Sequence, residues 1–508
     1  MGILDIFKRD KKAIKKRGYD GVNAGRLFSD FVTSQKSADS ELRYNLRTLR
    51  DRCRELARNN EYARRYINLL KTNVVGERGA TLQVKAMNQD GSLDVIGNRI
   101  IEQEWKRWGR NGNCTVDGRF SISDAQAMVI ESLARDGECV VRMVNYDGNA
   151  DRFALEFIEP DLIYEEKNEK LGNGNQIRMG VEMDRYRRPI AYHVLTEHPG
   201  DLSYSTYERR TQRIPAEQIL HLYLPDRAQQ TRGVPWMSTT ISALKMLHGY
   251  REAELVAART AASKMGFFTS RAGDGFQADD IQGDIPIMEA EPGSFHQLPQ
   301  GVDFQQFDPQ HPTSAFSDFE KSILRGIASG LGISYHSLAN DLTQTSYSSI
   351  RQGTIDDRDF YRYLQNFMVE HFLIPVYRQW LSQTMTIGVV NLPINKYDKF
   401  ADAGGFRPRG FQWVDPQKEI SANVIALNNG LISIQDVANN YGQDLDDLFA
   451  NLSRDKQMAE KYGLQFAHEP FGGGQGPYGP AKVSLQTGEP FSDMAPQEPI
   501  DQGDEDGD

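Results

Sequence analysis

Between residues 241 and 331 the chain reads as a long helix, a compact excursion and a helix that returns. The first arm, 241–265 (ISALKMLHGYREAELVAARTAASKM), is rich in Ala, Leu and Glu, which are strong helix formers. A helix of ~25 residues is ~38 Å long. The excursion, 266–315, has five prolines, many glycines and no helical period, so a small β-rich element is expected there. The second arm, 316–331, is helical again. A hairpin of this kind carries its tip away from the body. Its apolar side chains (Leu244, Leu247, Leu255, Val256, Phe316, Phe319, Ile323 and Leu324) exceed what one helix pairing covers. Assembly with neighbouring copies and burial against the chain's own body both remain open at this point.

The rest of the sequence supplies that body. At 508 residues it is too long for one hydrophobic core. Leu42, Leu46, Leu49, Cys53, Leu56, Ile67 and Leu70 recur near a 3.6-residue period, predicting helix over 42–70. Strand-like alternation follows Gly76 and Gly79. A helix is expected over 94–108, and another from about Ser123, capped by Ser and Asp and stopped by Gly137. From 138 to 223, short apolar runs separated by Gly, Asn, Asp or Pro predict an antiparallel, meander-like sheet on those helices, an α+β fold. After the hairpin, a polar stretch (340–349, NDLTQTSYSS) precedes a helix through Trp380. Phe360, Leu364, Phe367, Phe372, Val376 and Trp380 mark its apolar side, and Pro375 is expected to kink it. Helices near 416–429, 433–441 and 444–461 follow, then a Gly/Pro-rich acidic tail whose composition predicts disorder.

Hydrophobic residues are 39% and charged residues 25% of the chain, and no run reaches the ~18 apolar residues of a membrane span. The start, MGILDIFKRDKKAIKKR, has too short an apolar stretch for a secretory signal. Cys53, Cys114 and Cys139 show no CxxC spacing, which argues against a disulfide scaffold or thiolate zinc site and suits a reducing compartment. The net charge is −11, unevenly spread: residues 1–78 hold 19 Lys/Arg against 10 Asp/Glu, and from Leu485 onward eight acids stand without a base. Tight duplex binding needs a basic footprint, which only the N-terminal segment offers. The body is not built to grip DNA.

Catalytic signatures are absent. There is no Walker A sequence, GxSxG, HExxH or kinase signature, so neither an ATP-driven motor nor a hydrolase is indicated. His193, His198 and His221 are potential metal ligands, but their strand-like surroundings fit ordinary sheet histidines better. Glu131, Asp136 and Glu138, at a helix terminus, read as exposed or turn-capping carboxylates. No metal, cofactor or catalytic residue is expected.

Several segments, in order, carry a resemblance: LRDRCRELARNNEYA (49–63), NVVGERG (73–79), ESLARDGECVVR (131–142), FIEPDLI (157–163), RPIAYHV (188–194) and ILHLYLPDRAQQTRGVPW (219–236). They continue with REAELVAARTAA (251–262), LRGIASGLGISYHSLANDLTQTSYSSIR (324–351) and WVDPQKE (413–419). Together they resemble the lambda-type portal proteins of tailed double-stranded-DNA phages, over roughly residues 25–460. The resemblance implies a homo-oligomeric ring, usually of twelve copies, at one capsid vertex. Double-stranded DNA passes through such a ring during packaging and ejection. It also implies docking of the terminase, contact with major capsid or scaffold protein and with head-completion or tail connector proteins, and no membrane.

Mapped onto this chain, it implies a flexible basic arm (1–24), an α+β wing (25–235), a first stem helix (236–265), a clip (266–315) and a second stem helix (316–331). A tunnel-loop region (332–347), a spine helix with return to the wing (348–412), a helical crown (413–465) and an acidic tail (466–508) follow. The stem would pack through Leu244, Leu247, Leu255, Phe319, Ile323 and Leu324. The tunnel loop would be Asn340, Asp341, Leu342, Thr343, Gln344, Thr345, Ser346 and Tyr347, with Thr343, Gln344 and Thr345 at the narrowest point. Acidic Asp274, Asp279, Asp280, Asp284 and Glu289 of the clip would meet the terminase. A polar, near-neutral loop suits a conduit, because each phosphate neutralised steepens salt-dependent affinity by ~0.9 in log–log slope and would act as a brake. A packaging-associated nuclease would need clustered carboxylates for metal, and a scaffold or shell component fits the hairpin poorly. These are the alternatives.

Overall fold

The computed structural model describes residues 35–172, 174–201, 210–262, 266–270, 302–306, 316–343, 346–411, 416–441 and 443–464. Two units divide it, Met1–Pro416 and Gln417–Asp508. In the first, α1 (Ala38–Leu42), α2 (Leu46–Asn59) and α3 (Glu61–Leu70) lead into a π-helical turn (Lys71–Val75) and β1 (Thr81–Val84). The helix expected over 42–70 is therefore broken. Asn60 adopts extended backbone, and its side chain accepts the amides of Tyr62 (3.1 Å) and Ala63 (3.0 Å), starting α3 anew.

Helices α4 (Val95–Trp108) and α5 (Ile122–Asp136) follow. Asp94 caps α4, and Ser121 with Asp124 forms a capping box on α5. Gly137 ends α5 at φ +88°, where a Cβ would lie 2.3 Å from the carbonyl carbon of Val234.

The sheet region forms two antiparallel sheets where one meander was expected. β2 (Glu138–Asn145), β3 (Phe153–Ile158) and β9 (Ile219–Tyr223) make one in the order β3-β2-β9. β4 (Glu169–Lys170), β5 (Gln176–Arg178), β6 (Val181–Met183), β7 (Pro189–Leu195) and β8 (Thr211–Pro215) make the other, in sequence order. β9 joins β2 across some eighty residues through the register Glu138↔Tyr223 to Arg142↔Ile219, a non-local pairing invisible to local pattern. Val140, Ile158, Ile163, Val181, Tyr192, Ile214 and Ile219 form a second, smaller core.

The hairpin consists of α6 (Ile241–Ala262), preceded by a 3₁₀ turn at Trp236–Thr240, and α7 (Phe316–Leu331). Between them lie β10 (Gly266–Ser270) and β11 (Val302–Gln306), an antiparallel pair. After α8 (Tyr335–Ala339) the long helix runs as α9 (Tyr347–Met368), a π-helical turn (Val369–Leu373) and α10 (Ile374–Ile387). It continues past Trp380. Pro375 falls in the first turn of α10, where its missing N–H meets the interrupted ladder. α11 (Tyr397–Ala401) leads to β12 (Gly404–Arg407), which pairs with β1 and closes the unit on its N-terminal part.

The main core joins α2–α5 to the long helix. Trp105 lies 4.8 Å from Trp108 and 5.2 Å from Trp380 between ring centroids. Trp108 Nε1 donates to the Phe153 carbonyl (2.9 Å), and Trp380 Nε1 to Asp151 (3.3 Å), so these buried polar edges are satisfied.

The second unit contains α12 (Pro416–Asn428), α13 (Ile434–Asn440) and α14 (Leu445–Lys461). A Ser433–Asp436 capping box starts α13, and Asn423 Nδ2 donates to the Tyr441 hydroxyl (3.0 Å). α12 has no buried residue, and Ile420, Val424 and Ile425 are exposed.

Candidate functional site

The polar stretch after the hairpin is pinned at its base. Asp357, buried on α9, accepts the Ser334 amide (2.7 Å) and the hydroxyls of Ser334 (2.7 Å) and Ser337 (2.6 Å). Gly353 one turn earlier lets His336 approach, since a Cβ there would sit 2.4 Å from that ring. Arg65 of α3 donates to the Ser337 carbonyl (2.9 Å) and to Asn340 Oδ1 (3.5 Å). Asn340 ends α8 in the left-handed region at φ +55°, which Asn tolerates better than most residues.

Asp341 then accepts the Thr343 hydroxyl (2.5 Å), the Thr343 amide (2.9 Å) and the Tyr335 hydroxyl (2.8 Å). The Thr343 hydrogen bonds, followed by that from Tyr335, lower its carboxyl to about 2. Ser346 caps α9 by accepting the Ser349 amide (3.2 Å). Leu342 and Tyr347 are more than half exposed. Gln344 and Thr345 lie outside the described residues. Among the described residues, the stretch that leads into 340–343 is therefore held by anchors that sequence reasoning missed. Asp357 and Arg65 gave no local signal because their partners are 20 and more residues away.

The hairpin's apolar side chains divide between buried and exposed positions. Leu244, Leu247 and Leu324 are buried near the body together with Ile327 and Leu331, and Ile323 is half-buried. Leu255 is 62% and Phe319 50% exposed, with Met246 at 74% and Val256 at 55%. Arg251 holds the two arms and the body together. It pairs with Glu61 of α3 and with Glu320 of α7 (3.3 Å), while Tyr62 donates to Glu320 (3.4 Å). Tyr250 packs on Phe316 and Phe319 at centroid distances of 5.7 and 5.2 Å. The acidic residues Asp274, Asp279, Asp280, Asp284 and Glu289 lie outside the described residues, as do the basic arm and the acidic tail.

The carboxylates at the end of α5 differ from expectation. Glu131 is a half-buried surface group paired with Lys71 (2.8 Å) and Arg135 (2.9 Å), but Asp136 and Glu138 are buried. Glu138 accepts from Arg50 (2.9 Å), Arg232, His221 (2.8 Å) and the Gly233 amide (3.0 Å). Burial alone would raise its carboxyl, but the Arg232 charge and the His221 hydrogen bond outweigh that and hold it well below the usual carboxylate range. Arg50 also reaches Asp161 (3.0 Å), and Arg54 bridges Asp136 and Asp161 at 2.6 and 2.5 Å. This cluster fastens α2 to the sheets. The local reading failed because its cations come from positions 50, 54 and 232.

His193 and His221 sit in strands as expected, whereas His198 lies in the turn after β7. Among the described residues one group could converge on a metal, Glu159, Asp161 and His198. Two guanidiniums already neutralise Asp161, which disfavours a cation there. Among the described residues no helix is long and apolar enough to cross a membrane.

With this geometry in view, residues 24–365 match a family model described as "Phage portal protein, lambda family". The chain belongs to the lambda family of phage portal proteins. Membership makes it a virion component with a portal's role in genome packaging. It is 38% identical over 433 residues to the probable portal protein of Halomonas phage phiHAP-1, covering 84% of this chain and 83% of the relative. Portal protein B of Escherichia phage lambda is 23% identical over 491 residues, covering 88% and 91%. Among solved structures, the chain is similar to one from the virion of a native gene transfer agent particle, with a TM-score of 0.41 and 12% identity over 78% of this chain and 93% of that one. It is also similar to one from the neck of the native particle computed with C12 symmetry, with a TM-score of 0.40 and 14% identity over 77% and 92%.

Proposed function

We propose that copies of this chain close into a ring, of twelve subunits by family analogy, around an axial channel through which duplex DNA slides without being gripped. The chain acts as a conduit and catalyses nothing. The observation that carries this reading is the apolar surface the hairpin leaves in water: Leu255, Val256 and Phe319 are half or more exposed, and Met246, between the buried Leu244 and Leu247, is 74% exposed. Apolar side chains grouped on paired helices call for a partner, and a neighbouring copy supplies the same surface. The loop 340–347 then edges the bore through short hydroxyl and amide groups. Asp341 accepts from Thr343 and Tyr335 and stays ionised, so it repels passing phosphates and does not bind them.

In the same arrangement the segment 266–315 forms the clip at the hairpin's tip. Its acidic residues Asp274, Asp279, Asp280, Asp284 and Glu289 attract the terminase, aiding encounter and orientation more than affinity. Wing and crown meet capsid or scaffold protein, and connector proteins join the ring after packaging.

Electron microscopy of the purified protein tests the ring: annular particles with a central hole are expected. A protein that stays monomeric at high concentration, closes into shells, or cleaves DNA in a metal-dependent way would refute it. Asp279→Asn with Asp280→Asn and Asp284→Asn should weaken terminase binding while rings persist; loss of the rings would assign these residues to structure instead.

A further inference from the structure

The second unit has helices but no core. Local signals set its secondary structure. The Ser433–Asp436 capping box starts α13, and α12 ends in a Schellman turn with Gly430 at φ +69°. There the amides of Gly430 and Leu431 bond the carbonyls of Leu427 (3.0 Å) and Ala426 (2.9 Å). Packing does not follow. Among the described residues of the unit only Ala438, Asp444 and Ala459 are buried, so none of its Ile, Leu, Val, Phe or Met side chains is. Helices of 13, 7 and 17 residues are marginal in water unless one face is covered. A unit without a sizeable core relies on a disulfide, a metal or a partner. This one has no cysteine, and among its described residues no side chains converge to hold a metal. That leaves a partner.

The surface that would meet it is unlike a solvated one. Residues 420–435 (ISANVIALNNGLISIQ) carry no charge in a chain that is 25% charged, yet Ile420, Val424 and Ile425 are exposed. Depletion of charge around apolar side chains marks the centre of an interface, and permanent contacts between identical subunits are the most apolar. Ile420 and Val424, four residues apart, share one flank of α12. Met458 and Tyr462, also four apart and both exposed, form a second flank at the end of α14. In a ring of more than two copies each contact joins two different surfaces, because a surface meets its own equivalent only across a twofold axis. The unit carries both halves of such a contact.

We propose that the second unit completes its core with the next subunit of the ring, on whose existence this inference rests. α12 of one copy packs its Ile420–Val424 flank on the Met458–Tyr462 flank of α14 in the neighbouring copy. Repeated around the axis, these contacts make a continuous helical collar whose packing is complete only in the assembly.

The test uses the full-length protein. Val424→Cys and Met458→Cys chains, mixed before assembly and treated with a short bis-maleimide, should give a linked dimer on denaturing gels, while either variant alone gives none. The native thiols are buried and do not compete. Rings that form without that link, or links within either variant alone, would overturn the inference and leave the ring itself standing. Absence of rings would overturn both. In parallel, amides of 416–461 should exchange at least tenfold more slowly in wild-type rings than in the unassembled Leu255→Asp, Phe319→Asp subunit, with α5 and β2 unchanged. Equal rates in the two states, or slowing that requires another virion protein, would also overturn it.

Discussion

Replacing Glu138 by Gln keeps the shape of the side chain and removes a charge that two buried guanidiniums share. Arg50 and Arg232 are each almost wholly excluded from water, and in the variant Arg232 keeps the carbonyls of Met179 (3.1 Å) and Pro160 (3.0 Å) and a neutral amide oxygen at position 138, but no counter-ion. Arg50 keeps Asp161. Leaving one buried charge without its counter-ion costs about 3–5 kcal/mol. At roughly 2–4 °C per kcal/mol for a large domain, the main unfolding transition should fall by ~6–20 °C.

Acid gives an independent signature. The folded Glu138 carboxyl is held below its ordinary range, so its stabilisation is complete above about pH 4–5 and is lost as pH falls through the depressed folded value. The gap between wild type and Glu138→Gln should therefore be constant from pH 7 to about 5 and narrow below about pH 4. Differential scanning calorimetry or fluorescence-detected melting across that range measures both effects. A shift of less than about 3 °C at pH 7, or a gap that does not close in acid, would refute the view that this carboxylate is the keystone of the charge cluster.

Four further outcomes are expected. Trp380→Ala empties the centre of the Trp105–Trp108 cluster and should cost about 3–5 kcal/mol in denaturant unfolding. Leu255→Asp with Phe319→Asp, both at exposed sites, should shift subunit unfolding by no more than about 0.5 kcal/mol yet abolish rings in native mass spectrometry. Asp341→Ala removes the acceptor of the Thr343 amide and should speed exchange of that amide; wild-type protection should persist in acid until pH approaches about 2, where the carboxyl takes up its proton. Burial pushes the thiols of Cys53, Cys114 and Cys139 up to about 12, so the folded protein at pH 8 should not react with a thiol reagent until it is unfolded.

Features written in adjacent residues were legible in the sequence. The start of α5 and its end at Gly137 depend on Ser121, Asp124 and one left-handed glycine, all local signals. The hairpin's arms and the three helices of the second unit follow from composition and period. What stayed hidden was non-local. Asn60 falls where the apolar series passes from Leu56 to Ile67, and its side-chain capping reveals the break. The two-sheet arrangement depends on β9 crossing to β2, and the burial of Glu138 depends on Arg232, 94 residues away. The polar loop was visible as a loop because its Asn, Asp, Thr, Gln and Ser side chains offer little that could enter a core. Its moorings at Asp357 and Arg65 are tertiary contacts that no window of sequence contains.

The π-helical turn at Val369–Leu373 has a consequence for how this chain tolerates insertion and deletion. Such a turn accommodates one surplus residue, so it resets the angular phase of everything that follows by ~100° relative to an uninterrupted α-helix. Upstream, Leu364 and Met368 point into the core; downstream, Val376, Tyr377, Trp380 and Leu381 do so too. The two stretches share one inward direction only because the extra residue is there. Removing a single amino acid from 369–373 would mend the ladder and, in the same stroke, swing the indole of Trp380 off the tryptophan stack. At this spot a more regular backbone would mean a ruined interior.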